Sequence, residues 1–154
     1  DYTYLKNLLA SSNWYEADRE TKKVMILMYA SEDQDNLKQE NLQKFPCEDL
    51  QIIDKLWLKY SQGHFGFSIQ KRIFITLGGK INYNDYDYEV YCRFGENVGW
   101  LVNNCWLANS DLKFSLNAPQ GHLPVSPFLP LLRGLRSRTL YFRDFFSRLN
   151  NCQL

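Results

Sequence analysis

Leu50, Ile53, Leu56, Trp57 and Tyr60 recur at steps of three and four residues, which lays an apolar stripe along one side of an α-helix. Pro46 stands at the start of this helix, and Glu48 and Asp49 suit its electropositive N-terminal end. Ser61-Gln62-Gly63 stops it, with Gly63 free to take the left-handed conformation that helix ends favour. A dense aromatic turn follows, His64-Phe65-Gly66-Phe67. Asp54, Lys55 and Lys59 are assigned to the more polar side. Cys47 to Arg72 therefore specifies a helix, a hard stop and a second element packed on rings. It holds no nucleophile and no set of metal ligands, so it reads as scaffold.

The rest of the chain supplies further helices and two long connections. Tyr2 to Ala10 reads as a short helix. A second helix, from Trp14 to about Ala30, carries the stripe Trp14, Ala17, Thr21, Val24, Met25 and Met28. Asn13 and Glu16 have the spacing of a capping box at its start. Residues 31–44 are polar and read as a loop. Residues 65–77 are ambiguous, since Ile73-Phe74-Ile75-Thr76 has strand propensity and no clean helical face. Lys80 to Glu89 is an Asn-, Asp- and Tyr-rich loop, and the segment after it, to about Leu107, reads as short helices around Gly95 and Gly99. Prolines at 119, 124, 127 and 130 exclude a long helix between Asn109 and Arg136. That segment is nevertheless rich in Leu, Val and Phe, so it must cover something. A last helix, about 138–150, is capped by Ser137 and carries Tyr141, Phe142, Phe145 and Leu149 on one side.

Charge and motif content narrow the function. The net charge of +1 does not favour a nucleic-acid binder. The charge is uneven, with six Lys and Arg against one Asp in residues 112–154. The basic last helix fits a solvated face, a clamp for carboxylates or a membrane-surface patch. No apolar run has the length of a membrane span. Four cysteines without CxxC spacing, and only two histidines, argue against a zinc site and fit reducing conditions. Nucleophile-elbow, metalloprotease, P-loop and dinucleotide motifs are all absent. His64 and His122 are each read first as hydrogen-bonded structural residues, with axial ligation of a metalloporphyrin by His122 as the alternative.

The run LQIIDKLWLKYSQGHFGFSIQKRI resembles the signature of the genomes-uncoupled-four family, porphyrin-binding regulators of magnesium chelatase. The likeness extends to Trp14-Tyr15-Glu16-Ala17-Asp18-Arg19-Glu20-Thr21, Phe45-Pro46-Cys47-Glu48-Asp49-Leu50, Val98-Gly99-Trp100 and Ala118-Pro119-Gln120-Gly121-His122-Leu123-Pro124. His64 and Leu101 stand where family members usually carry Arg. The resemblance implies an all-α, compact helical bundle whose long loops form a concave apolar binding face, like a cupped hand. It also decides for a helix in residues 65–77. One domain is expected over residues 1–154, with a core at 1–107, a loop at 108–136 and a C-terminal helix at about 137–150.

By the same resemblance, the ligands are protoporphyrin IX and Mg-protoporphyrin IX, and the partner is the large porphyrin-binding subunit of magnesium chelatase. The protein is expected to be a monomeric regulator without catalysis, in a plastid or a cyanobacterial cell, with peripheral membrane association. A porphyrin needs a wide apolar surface and cations for its propionates. The expected ligand-binding residues are Phe45, Trp106, Leu112, Phe114, Leu116, His122, Leu123, Arg133, Arg136 and Arg138. Phe45 is expected to form a wall opposite the Pro-rich loop. The alternative function is a protein-interaction or sensor module cut from a larger signalling chain.

Overall fold

A computed structural model describes residues 1–27, 44–81, 87–131 and 137–154, with backbone alone at 129–131 and 137–141. Six helices lie among these residues: α1 (Thr3–Ala10), α2 (Trp14–Leu27), α3 (Cys47–Tyr60), α4 (Phe67–Thr76), α5 (Tyr88–Asn97) and α6 (Ser137–Asn151). The fold is mostly helical. The one sheet among the described residues is a two-stranded antiparallel hairpin, β1 (Leu101–Val102) and β2 (Cys105–Trp106), with Leu101 opposite Trp106. Short 3-10 turns occupy Asn109–Asp111 and Ser126–Leu131.

The apolar stripes close against one another. Leu5, Leu8 and Leu9 of α1 pack with α2 and α3. Trp14 stacks on Trp57 at 6.1 Å between ring centres, and Phe65 meets both rings edge-on. The Trp57 indole N–H donates to Thr21 Oγ1 at 3.0 Å, so a polar atom is satisfied inside the stripe. A second cluster joins Phe67, Phe74, Phe94, Trp100 and Phe128 to Phe142, Phe145 and Phe146 of α6. Burying a ring of this kind contributes about 1.5–3 kcal/mol, so the chain's high aromatic content is spent on its interior.

Within residues 65–77, Phe67–Thr76 form a helix, as the resemblance implies. The reason lies outside their own sequence. Gly66, the residue before α4, has no side chain to cap it, and the Asp54 carboxylate takes that role by accepting from Ser68 N–H at 2.9 Å. Asp54 is thus buried, 1% exposed, and not on a polar face as its spacing suggests. Gly66 has φ +139, and a Cβ there would stand 2.9 Å from Asp54 Oδ1. Both the backbone angle and the close carboxylate require glycine.

Three other expectations change. Residues 88–97 are one continuous helix through Gly95, capped by Asp87, whose side chain accepts from Val90 N–H at 3.0 Å. The hairpin replaces the short helices expected around Gly99, because Asn103 and Asn104 adopt φ +51 and +60 and turn the chain back. Cys47 and Cys152 form a disulfide, which the reading of reducing conditions did not anticipate. The expected end of the second helix, Met28 to Ala30, lies outside the described residues, as do most of the loops 31–44 and 80–89.

Candidate functional site

The Pro-rich segment after the hairpin is the part of the chain that needs most explanation, because it has almost no secondary structure of its own. Other elements hold it by its backbone. From α2, the buried Asp18 accepts from Val125 N–H at 2.6 Å and from Ser126 N–H at 3.1 Å. From α4, Gln70 Nε2 donates to the carbonyls of Gly121 at 3.0 Å and Pro124 at 2.8 Å. The Trp100 indole donates to His122 O at 2.9 Å, and Gly66 N–H donates to Leu123 O at 3.1 Å. His64 Nε2 lies 2.7 Å from Ala118 O. Buried backbone groups must find partners, and here side chains replace the missing ladder.

His122 is pinned at both ring nitrogens. Nε2 accepts from Lys113 N–H at 3.1 Å, so Nε2 carries no proton and Nδ1–H donates to Val98 O at 2.7 Å. Burial lowers its pKa, with a smaller contribution from the Lys113 charge, against the opposing bond to Val98. His122 is a neutral strut, and neither nitrogen is open to a metal. Asp18 is fully enclosed, and burial pushes its carboxyl up to about 6 in spite of the amides it accepts from.

This stitching divides the segment in two. Residues 121–128 are buried and complete the core between α2, α4 and α6. Residues 113–117 turn outward, with Phe114 half-buried and Leu116 47% exposed. Where the outward part meets α2, a cleft of about 280 Å³ opens, lined by Tyr15, Asn109, Ser110, Leu112 and Phe114. Phe114 meets Tyr15 edge-on at 5.0 Å. The Arg19 guanidinium lies 5.7 Å from the centre of the Tyr15 ring, at a distance for a cation–π contact. The cleft therefore presents aromatic and aliphatic faces beside amide and hydroxyl groups, with the Arg19 cation over its Tyr15 wall.

The expected site residues do not all meet there. Leu112 and Phe114 line the cleft, and Leu116 lies two residues beyond. Trp106 is half-buried on the hairpin, stacked on Tyr91 at 4.6 Å. It closes over Gly95, where a Cβ would stand 2.4 Å from the indole. Phe45 is a correction. It has no exposed surface and belongs to the core, and its carbonyl accepts from Arg148 Nε at 2.8 Å, so it is not an open wall. His122 and Leu123 are likewise buried, 1% and 0% exposed, and hold the segment from within. Arg133 and Arg136 lie outside the described residues, and of Arg138 only the backbone is described. Of the other arginines of α6, Arg143 pairs with Asp144 at 3.0 Å and Arg148 holds Phe45.

Tyr15, Asn109 and Ser110 are the lining residues that sequence reasoning missed, together with Arg19 beside the Tyr15 ring. For Tyr15 and Arg19 the signal was present, because both fall on α2 off the stripe formed by Trp14, Ala17 and Thr21. An exposed aromatic off the buried face was the clue. Among the described residues, no group of His, Cys, Asp and Glu is placed to hold a metal ion, and no helix is long and apolar enough to cross a membrane.

Comparison with known proteins agrees with this architecture. A "Ycf53-like protein" of Synechocystis is 30% identical over 152 residues, covering 96% of this chain and 60% of that protein. The "Tetrapyrrole-binding protein, chloroplastic" of Arabidopsis thaliana is 31% identical over 137 residues, covering 81% of this chain and 48% of that protein. The chain thus spans about half to three-fifths of these curated relatives. The ligand-free structure of Arabidopsis thaliana GUN4 matches with a TM-score of 0.74 and 28% identity, over 95% of this chain and 94% of that one. A family profile described as GUN4-like matches residues 1–143. The likeness runs through the stitched Pro-rich segment as well as the helices, and the chain belongs to the GUN4-like family.

Proposed function

We propose that this chain binds protoporphyrin IX and Mg-protoporphyrin IX and, without catalysing a reaction itself, stimulates magnesium chelatase through that enzyme's large porphyrin-binding subunit. The observation that carries the reading is its 31% identity, over 81% of this chain, to a protein named as tetrapyrrole-binding in the chloroplast. The cleft between α2 and the outward part of the Pro-rich segment supports it. Tyr15, Leu112 and Phe114 offer flat apolar contact to one edge of a macrocycle, and Asn109 and Ser110 offer polar contact. Ligand sites commonly enclose about 300–1,000 Å³, so a cleft of about 280 Å³ holds part of a tetrapyrrole, with the rest lying against surface beyond it.

Arg19 brings a cation beside the cleft through its place over Tyr15. Arg133, Arg136 and Arg138 remain the proposed partners of the propionates, and Leu116 and Trp106 the proposed outer contacts. His122 and Leu123 act by holding the segment. The setting proposed is a plastid or a cyanobacterial cell, with peripheral association at a membrane through the basic last helix. Titration with protoporphyrin IX, read by quenching of tryptophan emission, tests the binding. Saturable quenching at micromolar ligand is expected, and its absence overturns the proposal. Addition of the chain to a reconstituted magnesium chelatase tests the regulatory part, with faster metal insertion as the expected result.

A further inference from the structure

The Cys47–Cys152 disulfide joins two places 105 residues apart in sequence: the first residue of α3 and the residue just beyond α6. Three polar ties surround it. Gln51 Nε2 donates to Cys152 O at 2.8 Å, Arg148 Nε donates to Phe45 O at 2.8 Å, and Lys71 Nζ donates to Leu154 O. The two cysteines differ in exposure. Cys47 is partly open to solvent, whereas Cys152 is 2% exposed. The core beneath them is complete without the bond, because Phe142, Phe145, Phe146 and Leu149 anchor α6 on their own.

From this arrangement we infer that Cys47 and Cys152 form a reversible thiol switch that fixes or frees the end of α6 and the tail after it. The substrate of the switch is a dithiol reductant of the thioredoxin class. A thiolate of the reductant attacks Sγ of Cys47, the more open of the two cysteines, and forms a mixed disulfide there. The bond to Cys152 breaks, and its electron pair leaves on the Cys152 sulfur, which takes a proton. The second thiol of the reductant then displaces Cys47, so the chain gains two electrons and two protons and the reductant departs as its own disulfide. The attack is directed to Cys47, since Cys152 is buried. After reduction only the hydrogen bonds from Gln51, Lys71 and Arg148 remain at this end; they open and close, so the tail is released transiently, and each return brings the two thiols together for the bond to re-form under oxidising conditions. Closing so long a loop shifts the folding equilibrium by on the order of 10²–10³-fold, and the aromatic core supports the folded chain when that contribution is withdrawn.

The experiment compares the folded wild-type chain before and after treatment with dithiothreitol, without denaturant. Thiols are counted by alkylation and mass spectrometry, and amide hydrogen exchange is followed in residues 148–154. Two reactive thiols, Cys92 and Cys105, are expected in the oxidised chain and four in the reduced one. Exchange at Cys152 and Leu154 is expected to rise at least about tenfold on reduction and to return on reoxidation. Cys152→Ser, with three free thiols, is expected to match the reduced chain in tail exchange. The inference is overturned by four free thiols in the oxidised chain, by a bond that dithiothreitol does not open in the folded state, or by unchanged tail exchange after reduction. No porphyrin enters the measurement, so its outcome is independent of the proposed ligand.

Discussion

Asp18 and Val125, 107 residues apart, meet through a 2.6 Å hydrogen bond from a backbone amide to a buried carboxylate. The same carboxylate accepts from Ser126 N–H, and so caps the 3-10 turn Ser126–Leu131 from a neighbouring helix. Asp18→Ala leaves two buried amides without a partner. Unsatisfied buried groups cost about 1–3 kcal/mol each, and a loss of about 3 kcal/mol is expected, read as a lower urea midpoint at unchanged slope.

The carboxyl of Asp18 also sets a pH dependence. Its pKa in the folded chain, about 6, exceeds the ordinary value of 3.8 because of burial. The folded chain therefore holds this proton more tightly than the unfolded chain, and the stabilisation from this group is present below pH 3.8 and lost as pH rises through 6. Lys22 opposes the shift from the same helix. Relative to Asp18→Asn, wild type is expected to gain stability as the pH falls from 7 to 4, by on the order of 2–3 kcal/mol. Parallel unfolding curves of the two chains across that range check it, and a constant difference between them refutes it.

His122 runs in the opposite direction. Its lowered pKa means that its contribution is present above the ordinary value of 6.5 and is lost as the pH falls through the folded-state value. Nitrogen-15 spectra are expected to show the Nδ1–H tautomer, with no titration centred at 6.5. His122→Ala frees Lys113 N–H and Val98 O together and opens a cavity, with an expected cost of about 2–4 kcal/mol.

Two glycines on either side of Phe65 separate backbone strain from crowding. Gly63 has φ +77 and no atom within 4 Å of a built Cβ, so Gly63→Ala is expected to cost about 1 kcal/mol. Gly66 adds a 2.9 Å approach to Asp54 at φ +139. Gly66→Ala is expected to cost about 2–4 kcal/mol, since it strains the backbone and displaces the carboxylate that caps α4. Thermal denaturation of the pair gives the difference, and equal losses would assign all of the effect to φ.

For the proposed ligand, Tyr15→Ala and Phe114→Ala are each expected to weaken protoporphyrin binding about tenfold or more with little effect on folding, because both rings are partly exposed at the cleft. Leu123→Ala is expected to act differently. It removes a fully buried side chain and lowers stability by about 2–5 kcal/mol. Quenching titrations paired with urea curves distinguish the two kinds of residue.

Helices α1 to α3 were legible because their stripes are set by residues next to one another along one face. α4 was not legible from its own residues, since its cap comes from Asp54 in another helix. Asp54 was assigned to the polar side of its helix and Asp18 was given no structural role, as nothing local distinguishes an acid that caps a distant segment from one that faces water. The hairpin was hidden by its two-residue strands, although Asn103-Asn104 carried the turn signal. Spacing says nothing of a disulfide that spans 105 residues. In the candidate site, composition located the Pro-rich segment but not its division into a buried and an outward half. That division follows from which backbone groups Asp18, Gln70, His64 and Trp100 capture.

Those captures share one property. Each bonds to an amide or carbonyl of the Pro-rich segment, and the one side chain any of them also meets, that of Ser126 beside Asp18, lies in the buried half rather than the outward one. The outward residues 113–117 and Gln120 can therefore be rewritten with little loss of these attachments. A family built this way can change what its surface recognises by drift in a few exposed letters, while its clasp on the segment stays intact. A protein engineer could graft a new recognition sequence at the same place, using the bundle as a fixed handle.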